Sequence, residues 1–209
     1  MAADLVAPGW TIHGLWPSSA ASQVGGPAYC AADSSTATAP LLPAALVPTL
    51  GYWWPDLTPG RQLSAASGGN ASEQPLWRHE WDKHGSCYDR SSGVPGAGGG
   101  GGSSSTTRYF VDALLAAARL NLSEALAAAG IVPSASEVYT VRQIRGAVAA
   151  ILGDVLWAGP GQGLVCRQGA AHGALPRLSE VQLALDPDTL LPLQAAAARF
   201  QPASRPPGR

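Results

Sequence analysis

The chain has 209 residues, with 25 glycines, 18 prolines, 46% hydrophobic and only 13% charged residues, and a formal net charge of −1. That length suits one domain with a sizeable core, and seven tryptophans argue for a packed interior rather than a disordered chain. The near-neutral balance excludes a protein that coats nucleic acid by bulk electrostatics, and the chain has no apolar run of membrane-spanning length. Any nucleic-acid chemistry must therefore sit in a local site.

In chain order, residues 10–16 alternate loosely around Ile12 and read as a short strand ending at Pro17. Residues 18–40, which include Cys30, are rich in Ser, Ala, Gly and Pro and read as an irregular loop. The stretch 41–57 is apolar at helical spacing but interrupted by Pro43 and Pro48, so short helical turns are expected. After a polar loop at 60–74, Pro75 can open a helix that runs through Trp77, Glu80 and Trp81 and stops at Gly85. Residues 93–105 form a Gly/Ser insert expected to be a flexible surface loop within one domain spanning 1–200. Helices follow at 109–120, at 122–130 with Ser123 as cap and Gly130 as stop, and at 141–153 with Val141, Ile144, Val148 and Ile151 on one face. Residues 178–186 read as a strand closed by Asp186-Pro187, and 201–209 as a disordered tail. The fold class is α+β, with strands at both ends and helices covering the middle.

The titratable groups are concentrated. Three of four histidines and the only lysine lie in WTIHGLWP at 10–17 and HEWDKHGSC at 79–87. On a helix, Glu80 shares a face with Lys83 and His84, and His79 borders it four residues before Lys83. A zinc site fails on spacing: His79 and His84 stand about 140° apart around a helix, and an ammonium beside them disfavours a dication. The set suits acid–base chemistry at an anionic centre, with two imidazoles exchanging protons and Lys83 and Glu80 binding a phosphoryl oxygen. Trp10, Trp16 and Trp81 offer aromatic surface to bases or to the wall of the site, with Trp10 and Trp81 read as core. No metal and no cofactor are expected.

Three cysteines, Cys30, Cys87 and Cys166, allow one disulfide and leave one thiol. Asn70-Ala71-Ser72 and Asn121-Leu122-Ser123 would accept N-glycans in a secretory protein, although the opening MAADLVAPGW has no signal-peptide pattern.

The two segments resemble the active-site signatures of the ribonuclease T2 family, the acid ribonucleases with broad base tolerance, in the family's order. The resemblance extends through YWWPDL (52–57), 109–134, YTVRQIRGAV (139–148) and LSEVQLALD (178–186), and is nearest the plant-like branch. It implies a single T2-like domain, a small antiparallel sheet with helices packed on it. It implies His13 and His84 as the acid–base pair and Glu80 with Lys83 stabilising the pentacoordinate phosphorane. His79 would hold the phosphate and Trp16 would contact a base. The implied reaction is metal-free attack of the ribose 2′-hydroxyl on its phosphate, giving a 2′,3′-cyclic phosphate, with DNA inert. The implied enzyme is a secreted or vacuolar monomer that acts on RNA and has no membrane partner. The alternative is a catalytically weak relative that binds RNA or protein.

Cys30 and Cys87 match a family disulfide. Cys166 would stay free, because its family partner falls where this chain has Ala184. The family also has a signal and a strand upstream of the first signature, where this chain has nine residues before Trp10. The expectation is that Met1 is not the natural start, and that the form without this strand is aggregation-prone and poorly active.

Overall fold

The structure is a computed structural model that describes residues 9–18, 26, 28–30, 42–58, 74–88, 103–134, 136–159, 163–168 and 175–195. Residues 93–102 of the expected insert, the sequon at 70–72, His172 and the tail lie outside the described residues. The chain forms two compact units, Met1–Ser123 and Glu124–Arg209. Among the described residues no helix is long and apolar enough to cross a membrane.

In the first unit, α1 (Val47–Trp53) is a seven-residue helix. Pro48 stands in its first turn, where a missing N–H costs nothing, so this proline starts the helix rather than breaking it. Helix α2 (Pro75–Lys83) opens on Pro75 as expected. Its N-cap is Gln74, whose side chain accepts from the Trp77 amide at 3.0 Å. Apolar spacing turns Trp77, Glu80 and Trp81 inward, while Arg78 and Asp82 pair at 3.4 Å on the outer side. The chain then tightens into a 3₁₀ turn at Gly85–Cys87. A side chain at Gly85 would run into the Trp81 and Tyr109 rings, so only glycine lets the turn pass.

Helix α3 (Ser103–Leu120) starts earlier than the apolar stripe of 109–120 indicates, taking in the last three residues of the expected insert. Its Tyr109 and Phe110 join Leu42, Leu50, Trp54, Trp77, Trp81 and Ala113 in the core, with Ile12 and Leu15 packed against it.

The expected strand at 10–16 is not a strand. Its backbone groups bond to groups distant in sequence instead of to a neighbouring strand: the Ile12 amide donates to Trp53 O at 2.8 Å, and His13 O accepts from the Trp54 indole at 2.8 Å. Leu15 O accepts from the Tyr109 hydroxyl at 3.1 Å. These bonds satisfy the polar backbone beside the core without a sheet.

Helix α4 (Leu122–Ala128) includes Ser123 within its first turn rather than as its cap, and Gly130, at φ 72°, follows its end.

In the second unit, α5 (Val141–Leu152) begins with a reciprocal Thr140–Gln143 capping box and ends at Gly153, φ 81°. Ile144, Ala147 and Val148 are its buried residues. Val141 and Ile151, expected on the same face, are about half exposed because they lie at the two ends of the helix. Strands β1 (Leu164–Arg167) and β2 (Arg177–Val181) pair antiparallel with Leu164 opposite Val181 and a bulge between Val165 and Cys166. Single bridges, Trp157 to Leu183 and Leu185 to Pro192, prolong β2 to cover the expected strand. The Arg145 guanidinium of α5 lies 5.0 Å from the Trp157 ring centroid, which seats that helix on the sheet's extension. The class is α+β, with the described strands confined to the C-terminal part.

Candidate active site

Two tryptophans set the first segment against α2. The Trp77 indole donates to Trp54 O at 2.7 Å, and the Trp54 indole donates to His13 O at 2.8 Å. This relay ties the His13 backbone to the helix that carries Glu80, Lys83 and His84. The end of the helix is held from the other side. The Tyr29 amide donates to Lys83 O at 2.9 Å, and the Cys30 amide donates to Ser86 Oγ at 3.1 Å. The Cys30–Cys87 disulfide closes that contact with a Cα separation of 5.0 Å, as expected, and Cys166 is free and exposed.

Trp16 is the centre of the cluster. Its indole N–H donates to Glu80 Oε2 at 2.8 Å. Its ring meets His13 edge-on at 5.1 Å and lies 5.5 Å from the His84 ring. Glu80 Oε1 stands 4.0 Å from His13 Nε2, joining a carboxyl only 2% exposed to an imidazole 48% exposed. Four of the six expected acid–base and substrate residues, His13, Trp16, Glu80 and His84, are thus linked directly. Lys83, half-buried, and His79, exposed, act on Glu80 and His84 through their charge.

The electrostatics differ across the cluster. Burial raises the Glu80 pKa above the usual 4.5, and the Trp16 hydrogen bond and the charges of His13, His79 and Lys83 oppose it. Burial first, then the charges of Lys83, His79 and His13, lowers His84 from 6.5 to about 4. His84 Nδ1 is buried without a hydrogen-bond partner among the described residues, so nothing there favours the imidazolium. The result is a neutral imidazole and a carboxyl whose ionisation burial disfavours, beside the charges of Lys83, His79 and His13. That combination can accept one proton, donate another and attract an anion.

Sequence reasoning missed the supports. Gly14 has no room for a Cβ, which would collide with Glu80 Oε2 and Trp16 Nε1. Trp54 and Tyr109 hold the carbonyls of His13 and Leu15. Ser86 links Cys30 N to Asp82 O, donating to the latter at 2.8 Å. Trp54 and Tyr109 lay within apolar stretches of the sequence, but their polar ends gave no signal. Among the described residues no group of three or more His, Cys, Asp or Glu side chains is placed to hold a metal ion.

A family model described as Ribonuclease T2 family matches residues 3–191. The chain is 33% identical over 145 residues to Ribonuclease Oy of Magallana gigas, covering 69% of this chain and 58% of that protein. It is 31% identical over 147 residues to Ribonuclease T2 of Aspergillus oryzae, covering 68% of this chain and 48% of that protein. It thus spans about half the length of these curated relatives. Among solved structures it is similar to RNase NT in complex with 5′-AMP, with TM-score 0.59 and 25% identity over 93% of this chain and 77% of that one. Ribonuclease MC1 from bitter gourd seeds shares the fold, with TM-score 0.58 and 23% identity over 88% of this chain and 77% of that one.

Proposed function

The chain belongs to the ribonuclease T2 family, and from that membership we propose that it is an endoribonuclease cleaving RNA by metal-independent transesterification. The observation that carries the reading is the convergence of His13, Glu80 and His84 on the two edges and faces of one indole, Trp16.

His84, neutral above about pH 4, takes the proton of the ribose 2′-hydroxyl. The 2′-oxygen bonds to the adjacent phosphorus as the bond from phosphorus to the 5′-oxygen breaks. His13 gives a proton to that leaving oxygen. The products are a 2′,3′-cyclic phosphate and a free 5′-hydroxyl. Negative charge on the phosphorane oxygens meets the Lys83 ammonium, with Glu80, whose ionisation burial disfavours, beside it. His79, exposed beside Lys83, adds a phosphate contact, and the exposed face of Trp16 is available to a base. The 5′-AMP complex of RNase NT supports a nucleotide-sized ligand for this fold. The Cys30–Cys87 disulfide supports residence in an oxidising compartment, secreted or vacuolar, where exposed Asn121 would be open to glycosylation.

The test is incubation of the protein with RNA and with DNA in EDTA across pH. RNA fragments ending in cyclic phosphate and intact DNA are expected. Activity abolished by EDTA and restored by zinc would overturn the mechanism.

A further inference from the structure

Trp16 has a second use that base contact does not require. A buried carboxyl has two oxygens that differ only through their partners. Here Oε2 accepts the Trp16 indole N–H at 2.8 Å, while Oε1 is the oxygen turned toward His13 Nε2 at 4.0 Å. An indole nitrogen only donates, so the oxygen it meets is held as an acceptor. A proton on this carboxyl is therefore favoured on Oε1, which leaves Oε2 as the stronger acceptor. Gly14 brings the backbone against this same hydrogen bond, with no space for a Cβ beside Oε2 and Nε1. The site is thus built around the contact. A residue that merely stacked on a base would need its ring, not its N–H.

We propose that Trp16 is a positioning residue, whose indole N–H fixes which oxygen of Glu80 accepts and so aims the other, Oε1, at the phosphoryl group between His13 and His84. The proposal deepens the ribonuclease reading and rests on it for the identity of the anion. The groups facing Glu80 are His13 and Trp16 from the first segment, His79 and Lys83 on α2, and Tyr109 on α3. Of these, Trp16 is the one that holds the carboxyl by a hydrogen bond. Removing that bond also removes the largest influence opposing burial, so Glu80 should keep its proton to higher pH.

The experiment compares wild type, Trp16→Phe and Glu80→Gln. Phenylalanine keeps an aromatic face and loses only the donor. The expected result is a fall in kcat of about tenfold or more with KM for RNA little changed, the signature of a transition-state contact rather than of binding. In parallel, the Glu80 side-chain carboxyl is titrated by carbon-13 NMR on substrate-free protein. Its midpoint should rise in Trp16→Phe. In wild type the Trp16 indole N–H resonance, identified by its loss in Trp16→Phe, should follow the same midpoint, and in Glu80→Gln it should not titrate there. An unchanged Glu80 midpoint in Trp16→Phe, or a kcat equal to wild type, would overturn the proposal. Wild-type protein that leaves RNA intact would sink the ribonuclease reading instead, and the NMR titration would still decide whether Trp16 holds Glu80.

Discussion

Gly14 and Glu80 approach so closely that the α-carbon of one leaves no room for a side chain beside the carboxyl of the other. The first segment is therefore held against α2 by an absence of atoms as well as by the Trp16 hydrogen bond. Gly14→Ala should displace Glu80, Trp16 or both, since the colliding atoms are the functional ends of those side chains. A misplacement of this size in a catalytic cluster costs about 10²-fold in turnover. The core aromatics are not touched, so far-UV circular dichroism should stay near wild type. Normal kcat in Gly14→Ala would show that the contact can relax without consequence.

The pH dependence follows from His84. Its pKa near 4 means that the proposed base is free throughout the mildly acidic range. The acid limb of kcat/KM should therefore have its half-point at about pH 4, not near the 6.5 of an unperturbed imidazole. Lys83 and His79 contribute to the depression, so Lys83→Met and His79→Ala should each move that limb upward. Stability should respond to the same group. Unfolded, His84 takes up a proton near 6.5 and, folded, only near 4, so stability is lost as pH falls through that interval. Thermal melts of wild type and His84→Phe between pH 4 and 7 measure the difference.

Glu80 carries the opposite sign. Its folded pKa lies above the unfolded value of 4.5, so its contribution to stability is full below 4.5 and is lost as pH rises through the folded pKa. Glu80→Gln keeps an acceptor for the Trp16 indole and removes the buried ionisation. The variant should melt at a higher temperature than wild type near neutral pH, with the gap closing below pH 4.5, while its turnover falls. A buried ionisable group kept at a cost in stability is the trade expected if Glu80 serves the proposed reaction. A lower melting temperature at neutral pH would show that the charge of Glu80 stabilises the fold through Lys83 and the histidines.

The titratable set was readable from the chain because α2 is a local object. Pro75 opens it, Gly85 lies just past its end, and helical spacing puts Glu80, Lys83 and His84 on one face whatever surrounds them. The cross-links were not readable in the same way. Trp16 and Glu80 are 64 positions apart, and nothing near Gly14 announces a carboxyl arriving from there. The false strand at 10–16 has the same origin: its alternation is real, but the Trp54 indole, the Tyr109 phenol and the Trp53 carbonyl take the place of a partner strand. Strand β1 was missed because four residues, Leu164–Arg167, give too little pattern, and its bulge breaks what alternation there is. The resemblance to the T2 signatures supplied the Cys30–Cys87 pairing, which three cysteines alone leave open.

That disulfide is the last element with a testable energy. It joins residues 57 apart, and closing a loop of that length stabilises a fold by about 4 kcal/mol in the chain-entropy limit. Its position matters as much as its length. Cys87 ends the turn after His84, and the neighbouring Tyr29 and Cys30 amides bond to Lys83 O and Ser86 Oγ. Cutting the bridge should loosen the C-terminal end of α2, where both Lys83 and His84 sit. Cys30→Ala/Cys87→Ala should therefore lose stability in urea and also lose turnover at temperatures where the protein is still folded. Thiol titration of the unfolded, unreduced protein should find one reactive group, Cys166. Three reactive thiols would mean that the bridge does not form. A double variant with normal turnover but lower stability would confine the disulfide to holding the fold, leaving the hydrogen bonds of Tyr29 and Cys30 to hold the site.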